Sequence, residues 1–147
     1  MYDAVLTNCV VRDNVAMSNG GGVYSGTLYD CVVSNNVAQI SGGGISDSVA
    51  TCCVIAQNEC GEVEGYGGGA YRSELQNCVV NDNRVLKGQA AGGVSLSVCR
   101  NCTIYGNVGL GAHAWPVNDQ PGGTNYNCIV YGNTGTTQID TRMASFN

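Results

Sequence analysis

Charged and aromatic residues are scarce in this sequence of 147 residues. Only 12% of the residues are charged, and phenylalanine and tryptophan occur once each. Because the net charge is −5, the chain lacks the positive charge that neutralises a phosphate backbone, which argues against a nucleic-acid partner. No apolar run approaches the roughly 18 residues of a transmembrane helix. We therefore expect no membrane insertion of this segment.

Helical periodicity is also missing, since no window sustains a 3.6-residue apolar pattern between capping residues. The first residues lack the basic and apolar regions of a signal peptide, so any export signal lies outside this chain. What the sequence has instead is 22 glycines and many short β-branched runs bounded by Gly and Asn. Such runs predict an all-β protein.

The short apolar runs recur with a period of 22 to 26 residues. A cysteine precedes each run, and an asparagine follows that cysteine by five positions. The repeated cysteines are Cys9, Cys31, Cys53, Cys78, Cys102 and Cys128. The repeated asparagines are Asn14, Asn36, Asn58, Asn83, Asn107 and Asn133. A glycine-rich cluster ends nine residues before four of the cysteines, so most length variation falls between the asparagine and the next cluster.

This pattern of a fixed frame with insertions at one corner predicts a parallel β-helix, or solenoid, of about six coils. A leucine-rich repeat has a similar period, but the Leu-x-x-Leu-x-Leu spacing is absent. Equivalent residues of successive coils stack about 4.8 Å apart. Alternation then places the repeated cysteine and the Val or Ile two residues later in the core. We expect one domain over residues 1–147, and a piece of a longer array is favoured because no capping helix precedes Cys9.

The two repeated residue types predict two ladders inside the solenoid. The cysteines form a column of apolar thiols, because free cysteine behaves as a small buried hydrophobe. The asparagines form a column of turn residues whose amides hydrogen-bond along the axis and which tolerate left-handed geometry. Cys99 and Cys102 have a zinc-like spacing, but Leu occupies the Cys99 column in other coils, so we expect no metal. Cys52 and Cys60 lie outside the core columns, either bridged to each other or as exposed or partly covered thiols.

Three surface features carry the remaining functional hypotheses. Glu59, Glu62 and Glu64 form an acidic loop, which we interpret as a solvent-exposed loop. The less favoured alternatives are a carboxylate pair for polysaccharide cleavage and a calcium site. The insertion at residues 108–121 carries Trp115 and His113, which either contact a ligand or partner or fold back over a coil edge. The residue after each repeated cysteine, mostly valine, forms an outward apolar column that is either an interface or ordinary β-sheet surface.

The glycine clusters and the asparagines together form a recognisable motif pair. Gly-Gly-apolar followed by apolar-x-x-Asn resembles the polymorphic outer-membrane-protein repeat, whose motifs read GGA[I/L/V] and FxxN. Examples here are Gly21-Gly22-Val23, Gly43-Gly44-Ile45 and Val11 to Asn14, with Val or Ile in place of the family's Phe. The chain is also similar to right-handed parallel β-helix repeats of large bacterial surface proteins. The resemblance implies a right-handed coil and a secreted or surface-displayed stalk, commonly adhesive, without a cofactor.

We therefore expect a non-catalytic structural or adhesive module of a bacterial secreted or cell-surface protein, with no cofactor and no enzymatic activity. Its partners would be a cell-surface glycan or protein, or further copies of itself. Two alternatives remain open. One is a carbohydrate-binding or polysaccharide-degrading β-helix fragment, and the other is an extracellular fibre subunit that stacks end to end.

Overall fold

The computed structural model describes residues 1–61, 65–87, 91–109 and 123–135, and within these ranges it contains β-strands and no helix. Every strand pair is parallel, and equivalent residues of successive repeats are paired in register. Val54, for example, lies between Val32 and Val79. The chain is therefore a parallel β-solenoid, and the all-β solenoid prediction is confirmed.

Each repeat contributes short strands to four parallel sheets, which we number in the order in which a coil visits them. Sheet I contains Val23–Tyr24 (β4), Ile45–Ser46 (β8), Ala70–Tyr71 (β12) and Val94–Ser95 (β16). Sheet II contains Val5–Thr7 (β1), Thr27–Tyr29 (β5), Val49–Thr51 (β9), Glu74–Gln76 (β13), Val98–Arg100 (β17) and Thr124–Tyr126 (β20). Sheet III contains Val10–Arg12 (β2), Val32–Ser34 (β6), Val54–Ala56 (β10), Val79–Asn81 (β14), Thr103–Tyr105 (β18) and Ile129–Tyr131 (β21). Sheet IV contains Val15–Ala16 (β3), Val37–Ala38 (β7), Glu59–Cys60 (β11), Arg84–Val85 (β15) and Val108–Gly109 (β19).

Three corners of each coil are made by two residues, of which the first has left-handed backbone geometry. Fifteen non-glycine residues in the described ranges have a positive φ, and ten of them are Asn or Asp, the types that tolerate this region best. In the third coil these residues are Asp47, Cys52 and Gln57, with φ of 48°, 55° and 56°. The ladder asparagine is the second residue of its corner and follows the left-handed one, as Asn58 follows Gln57.

The fourth corner is the glycine cluster between sheet IV and sheet I. Gly42 has a φ of +61°, which favours glycine because other residues are strained there. A Cβ on Gly43 would collide with the carbonyl oxygens of Glu59 and Gly68, so the backbone of the next coil leaves no room for a side chain. Left-handed geometry and close backbone approach thus explain why the glycines recur together.

The core fills the inside of the solenoid with one layer of apolar side chains per coil. Its largest fully buried members include Leu28, Ile45 and Ile55. The apolar cluster continues from Leu6 at one end to Val130 at the other, both of which are only partly buried. In the part of the chain that is described, no helix is long and apolar enough to cross a membrane.

Candidate functional site

The asparagine ladder lies at the corner between sheets III and IV. Asn36, Asn58, Asn83 and Asn107 are fully buried. The Oδ1 of each accepts two hydrogen bonds from the preceding asparagine, one from its backbone N–H and one from its Nδ2. For Asn58 and Asn83 these distances are 2.9 and 3.0 Å.

The same amides also bind the backbone of earlier coils. The Nδ2 of Asn58 donates to the carbonyl oxygen of Val33 at 2.9 Å, and the Nδ2 of Asn83 donates to that of Ile55 at 2.8 Å. Each interior amide therefore uses both of its Nδ2 hydrogens and its carbonyl oxygen inside the protein. A side chain engaged in this way is structural and unavailable to a ligand.

The cysteine ladder lies at the corner between sheets II and III and repeats the same geometry with weaker bonds. The Sγ of Cys53 accepts the backbone N–H of Cys31 at 3.4 Å and donates to the carbonyl oxygen of Thr51 at 3.2 Å. Cys31, Cys53, Cys78 and Cys102 are buried, whereas the terminal Cys9 and Cys128 are only partly buried. Burial raises the pKa of Cys31. This thiol is therefore held in its protonated, unreactive form.

A serine ladder, which the sequence analysis missed, lies at the corner between sheets I and II. The hydroxyl of Ser48 accepts the N–H of Gly26 at 3.0 Å and donates to the carbonyl oxygen of Ser46 at 2.7 Å. Ser73 continues the column by accepting the N–H of Ser48 at 3.2 Å. The sequence pattern that indicates this ladder is a serine five residues before three of the repeated cysteines. The other coils have glycine or alanine at that position. All three corners therefore combine a left-handed residue with an inward hydrogen-bond acceptor.

Two of the three cysteines outside the main ladder, Cys52 and Cys60, have opposite environments. Cys52 is exposed, but Cys60 is fully buried in a second small cluster with Ala38 and Val85, so the prediction of an exposed or partly covered Cys60 is wrong. Both are free thiols, and no bridge joins them. Burial raises the pKa of Cys60 to about 12. The missed signal was that Cys60 shares a column of small apolar residues with Ala38 in the preceding repeat.

Two acidic residues of the described ranges, Glu59 and Asp47, form ion pairs with arginines of the next coil. Glu59 belongs to strand β11 rather than to a loop, and its carboxylate forms an ion pair with Arg84 in the next coil. Asp47 makes a left-handed corner and lies 3.6 Å from the guanidinium of Arg72. Glu62 and Glu64 lie outside the described residues. Among the described residues, no group of three or more His, Cys, Asp or Glu side chains is placed to hold a metal ion.

The outward column of sheet III is partly exposed along its length. The exposed fraction is 38% for Val32 and 37% for Val54, so each interior valine still contacts its neighbours in the column. Tyrosine side chains pair along the outer surface, as where Tyr105 stacks on Tyr131 at 5.2 Å between ring centroids. Trp115 and His113, the predicted ligand or partner contacts, lie outside the described residues.

Comparison with known protein families gives one match over the coil region. Residues 4–108 match the family described as periplasmic copper-binding protein (NosD), a span of well over half of the chain. No curated protein matches the sequence. The matched span begins before the first ladder cysteine and ends just after Asn107, so it includes five of the six repeats that form the solenoid. The chain is thus a parallel β-helix repeat protein that belongs to the NosD family.

Proposed function

We propose that this chain is a non-catalytic structural module of a bacterial envelope, displayed in the periplasm or on the cell surface. The observation that carries the proposal is the use of polar side chains: the asparagines and the serines at two corners of the solenoid bind the backbone of neighbouring coils. The buried Asn58 amide and Ser48 hydroxyl both have complete sets of partners inside the fold. Buried groups satisfied in this way stabilise a coil but leave nothing for a substrate.

The ionisable groups support the same interpretation. A glycosidase needs two carboxyl groups at a defined separation, one of them with a raised pKa. Glu59 and Asp47 instead face arginines on the outer surface. Polysaccharide cleavage therefore has no support in the described residues.

An assay against acidic and neutral polysaccharides tests the absence of catalysis. The full chain is incubated with each polymer, and both reducing ends and unsaturated products are measured. We expect neither to rise above a heat-denatured control. Turnover that is lost in Asp47→Asn or Glu59→Gln but kept in Asp13→Asn would contradict the structural role.

An adhesive role is the more specific form of the proposal, and the resemblance to outer-membrane-protein repeats supports it. The candidate contacts are Trp115 and His113, because an indole offers a large flat surface that stacks well on sugar rings or partner side chains. A glycan array probed with the wild type and with Trp115→Ala tests this role. Binding that Trp115→Ala loses supports adhesion through this loop, whereas empty arrays for both proteins remove it.

The family description raises copper binding as a second function, which the described residues do not fit. Copper(I) prefers thiolate ligands, and copper(II) prefers imidazole and oxygen ligands in a square arrangement. Burial raises the thiol pKa values of Cys31 and Cys60, which disfavours the thiolate. A hydrogen bond with Cys78 lowers the pKa of Cys53, but this thiol is buried in the apolar core. No described cluster offers three ligands.

Metal analysis of the purified chain tests that conclusion. After incubation with copper(I) or copper(II) and gel filtration, we expect no stoichiometric copper by mass spectrometry. Retention of one copper per chain that is lost in Cys52→Ser or His113→Ala would overturn it, because those variants leave the described core unchanged.

An envelope location is supported by the word periplasmic in the family description. The periplasm is oxidising, and nine free cysteines are unusual there. Six of the nine are buried, so oxidants have little access to them. Fractionation of the source cells with an antibody to this chain tests the location: we expect the chain in the envelope or outside the cell, and recovery in the cytoplasm alone would contradict it.

A further inference from the structure

The fifth coil has two inward thiols at the corner between sheets II and III. Cys99 is the middle residue of β17, in a column that contains Ala50 and Leu75 in the two preceding coils. Cys102 is the ladder cysteine of the same coil and follows three residues later. Both side chains are fully buried in the main apolar cluster. The fifth coil therefore places a Cys-x-x-Cys pair inside the solenoid.

The backbone at this corner brings the two thiols into contact. Asn101 has a φ of 53°, and the chain turns there from sheet II into sheet III with a cysteine on either side of the turn. The Cys99 thiol donates a hydrogen bond to the sulfur of Cys102. The Cys102 thiol itself donates to the carbonyl oxygen of Arg100 at 3.2 Å. A disulfide requires side chains that point towards each other, and thiols in direct contact meet this requirement.

The ladder thiols of the neighbouring coils are engaged with the backbone, which distinguishes them from Cys99. The thiols of Cys78 and Cys128 each donate to a carbonyl oxygen of their own coil at 3.2 Å. The Sγ of Cys128 also accepts the N–H of Cys102 at 3.5 Å. Among the described residues, the Cys99 thiol has no hydrogen bond to the backbone, and its hydrogen-bond partner is Cys102. A bridge between coils would therefore disrupt more hydrogen bonds than a bridge within the fifth coil.

We propose that Cys99 and Cys102 are oxidised to a disulfide within the fifth coil by exchange with a small-molecule disulfide such as oxidised glutathione. The Cys102 thiolate attacks one sulfur of the oxidant, and the first glutathione thiolate leaves. The Cys99 thiolate then attacks the Cys102 sulfur of the mixed disulfide, and the second glutathione thiolate leaves. The protein gives up two electrons and two thiol protons, and the oxidant is reduced to two molecules of glutathione.

The hydrogen bonds of the cluster determine which thiol attacks first. The pKa of Cys102 is lowered by hydrogen bonds from three neighbouring thiols, those of Cys128, Cys78 and Cys99. The pKa of Cys99 is raised by its hydrogen bond to Cys102 and by burial. Cys102 is therefore the attacking thiolate and Cys99 the resolving thiol. Cys78 and Cys128 lie one coil to either side, so the four sulfurs do not surround a common point that could hold a metal ion.

This inference goes beyond the proposed structural role, which requires no disulfide, and the two can fail independently. The folded core leaves oxidants little access to Cys99 and Cys102, so the exchange takes place while the chain folds. In an oxidising compartment the disulfide would remove two of the nine free thiols. The test below is carried out on the purified chain and does not depend on where the chain is located in the cell.

Trypsin provides a direct assay because Arg100 lies between the two cysteines. Cleavage at Arg100 and at the flanking basic residues places Cys99 in peptide 88–100 and Cys102 in peptide 101–142. The full chain is reduced and unfolded, refolded with a mixture of oxidised and reduced glutathione, and digested without reductant. We expect most of the two peptides to be joined, with a mass two hydrogen atoms below their sum, and to separate when a reductant is added. Unlinked peptides from the folded protein would overturn the proposal.

Substitutions distinguish this disulfide from the other pairs of the cluster. Cys99→Leu introduces the residue type that Leu75 provides in the preceding coil, and we expect it to fold by circular dichroism but to show no linked peptides. Cys128→Ser is the matched control, because it removes a neighbouring thiol and should keep the link. A link that persists in Cys102→Ser, or that is lost in a folded Cys128→Ser variant, would show that Cys99 pairs with Cys128 and would overturn the proposal.

Discussion

The asparagine corner and the cysteine corner have the same backbone geometry but different chemistry. In both, a left-handed residue precedes an inward side chain that accepts an N–H from the coil before it. At Asn58 the accepted bond is 3.0 Å long and three further hydrogen bonds involve the amide, whereas at Cys53 the N–H lies 3.4 Å from sulfur. Sulfur is a weak acceptor, so the thiol contributes mainly apolar packing.

Two corners with the same backbone geometry therefore serve different purposes in the solenoid. The asparagine corner fixes the alignment of coils, because buried amides are costly unless every donor and acceptor is paired. The cysteine corner fills space, because a small apolar side chain fits where the chain turns. The asparagine corner should therefore tolerate substitution less well.

The largest effect is expected at Asn58. Asn58→Ala leaves the N–H of Asn36 and the carbonyl oxygen of Val33 without their partners in a buried site. We expect a loss of about 3 kcal/mol in the free energy of unfolding, measured by denaturant titration. Asn14→Ala, in the exposed first coil, is the control and should lose less than half as much. Equal losses would show that burial of the ladder does not matter.

A smaller effect is expected at Cys53. Serine in place of Cys53 can make the bonds that Ser48 makes at its own corner, so Cys53→Ser should lose only about 1 kcal/mol. Valine fills the space but leaves the N–H of Cys31 unpaired, and Cys53→Val should lose about 2 kcal/mol. A larger loss for serine than for valine would show that packing alone controls this corner.

Cys60 and Cys52 provide a contrast between burial and exposure. Cys60→Ala gives β11 the same residue type that Ala38 provides at the paired position of the preceding coil. We expect the free energy of unfolding to fall by about 1 kcal/mol, because the contacts of the sulfur atom are lost. Cys52→Ser changes an exposed side chain and should leave the free energy of unfolding unchanged within error. A disulfide reagent should label Cys52 rapidly in the native protein and Cys60 only on unfolding. Rapid labelling of Cys60 would contradict its burial.

The raised pKa of Cys60 adds a pH dependence to that contrast. The folded state holds the thiol proton to about pH 12, while the unfolded chain releases it near pH 9. Folding therefore binds a proton in this interval, and the stability from the neutral thiol, complete below pH 9, is lost as the pH rises towards 12. The stability of the wild type relative to Cys60→Ala should fall across this interval. A constant difference between the two proteins would contradict the raised pKa.

The repeats, the parallel stacking and the cysteine and asparagine columns could be predicted from the sequence, because every repeat of a solenoid has the same local geometry. The sequence did not reveal the serine ladder, since glycine or alanine occupies that column in the outer coils and hides the pattern. It misplaced Cys60, because a two-residue strand is too short to show alternation.

Hydrogen exchange of the asparagine side chains, followed by NMR, tests the central claim most directly. If the buried amides hold the coils in alignment, the Nδ2 protons of Asn36, Asn58, Asn83 and Asn107 should exchange only through opening of the fold. Those of Asn77, an exposed asparagine outside the ladder, should exchange as fast as a free amide. Exchange of the Asn58 and Asn83 amides at the rate of Asn77 would show that no buried ladder exists.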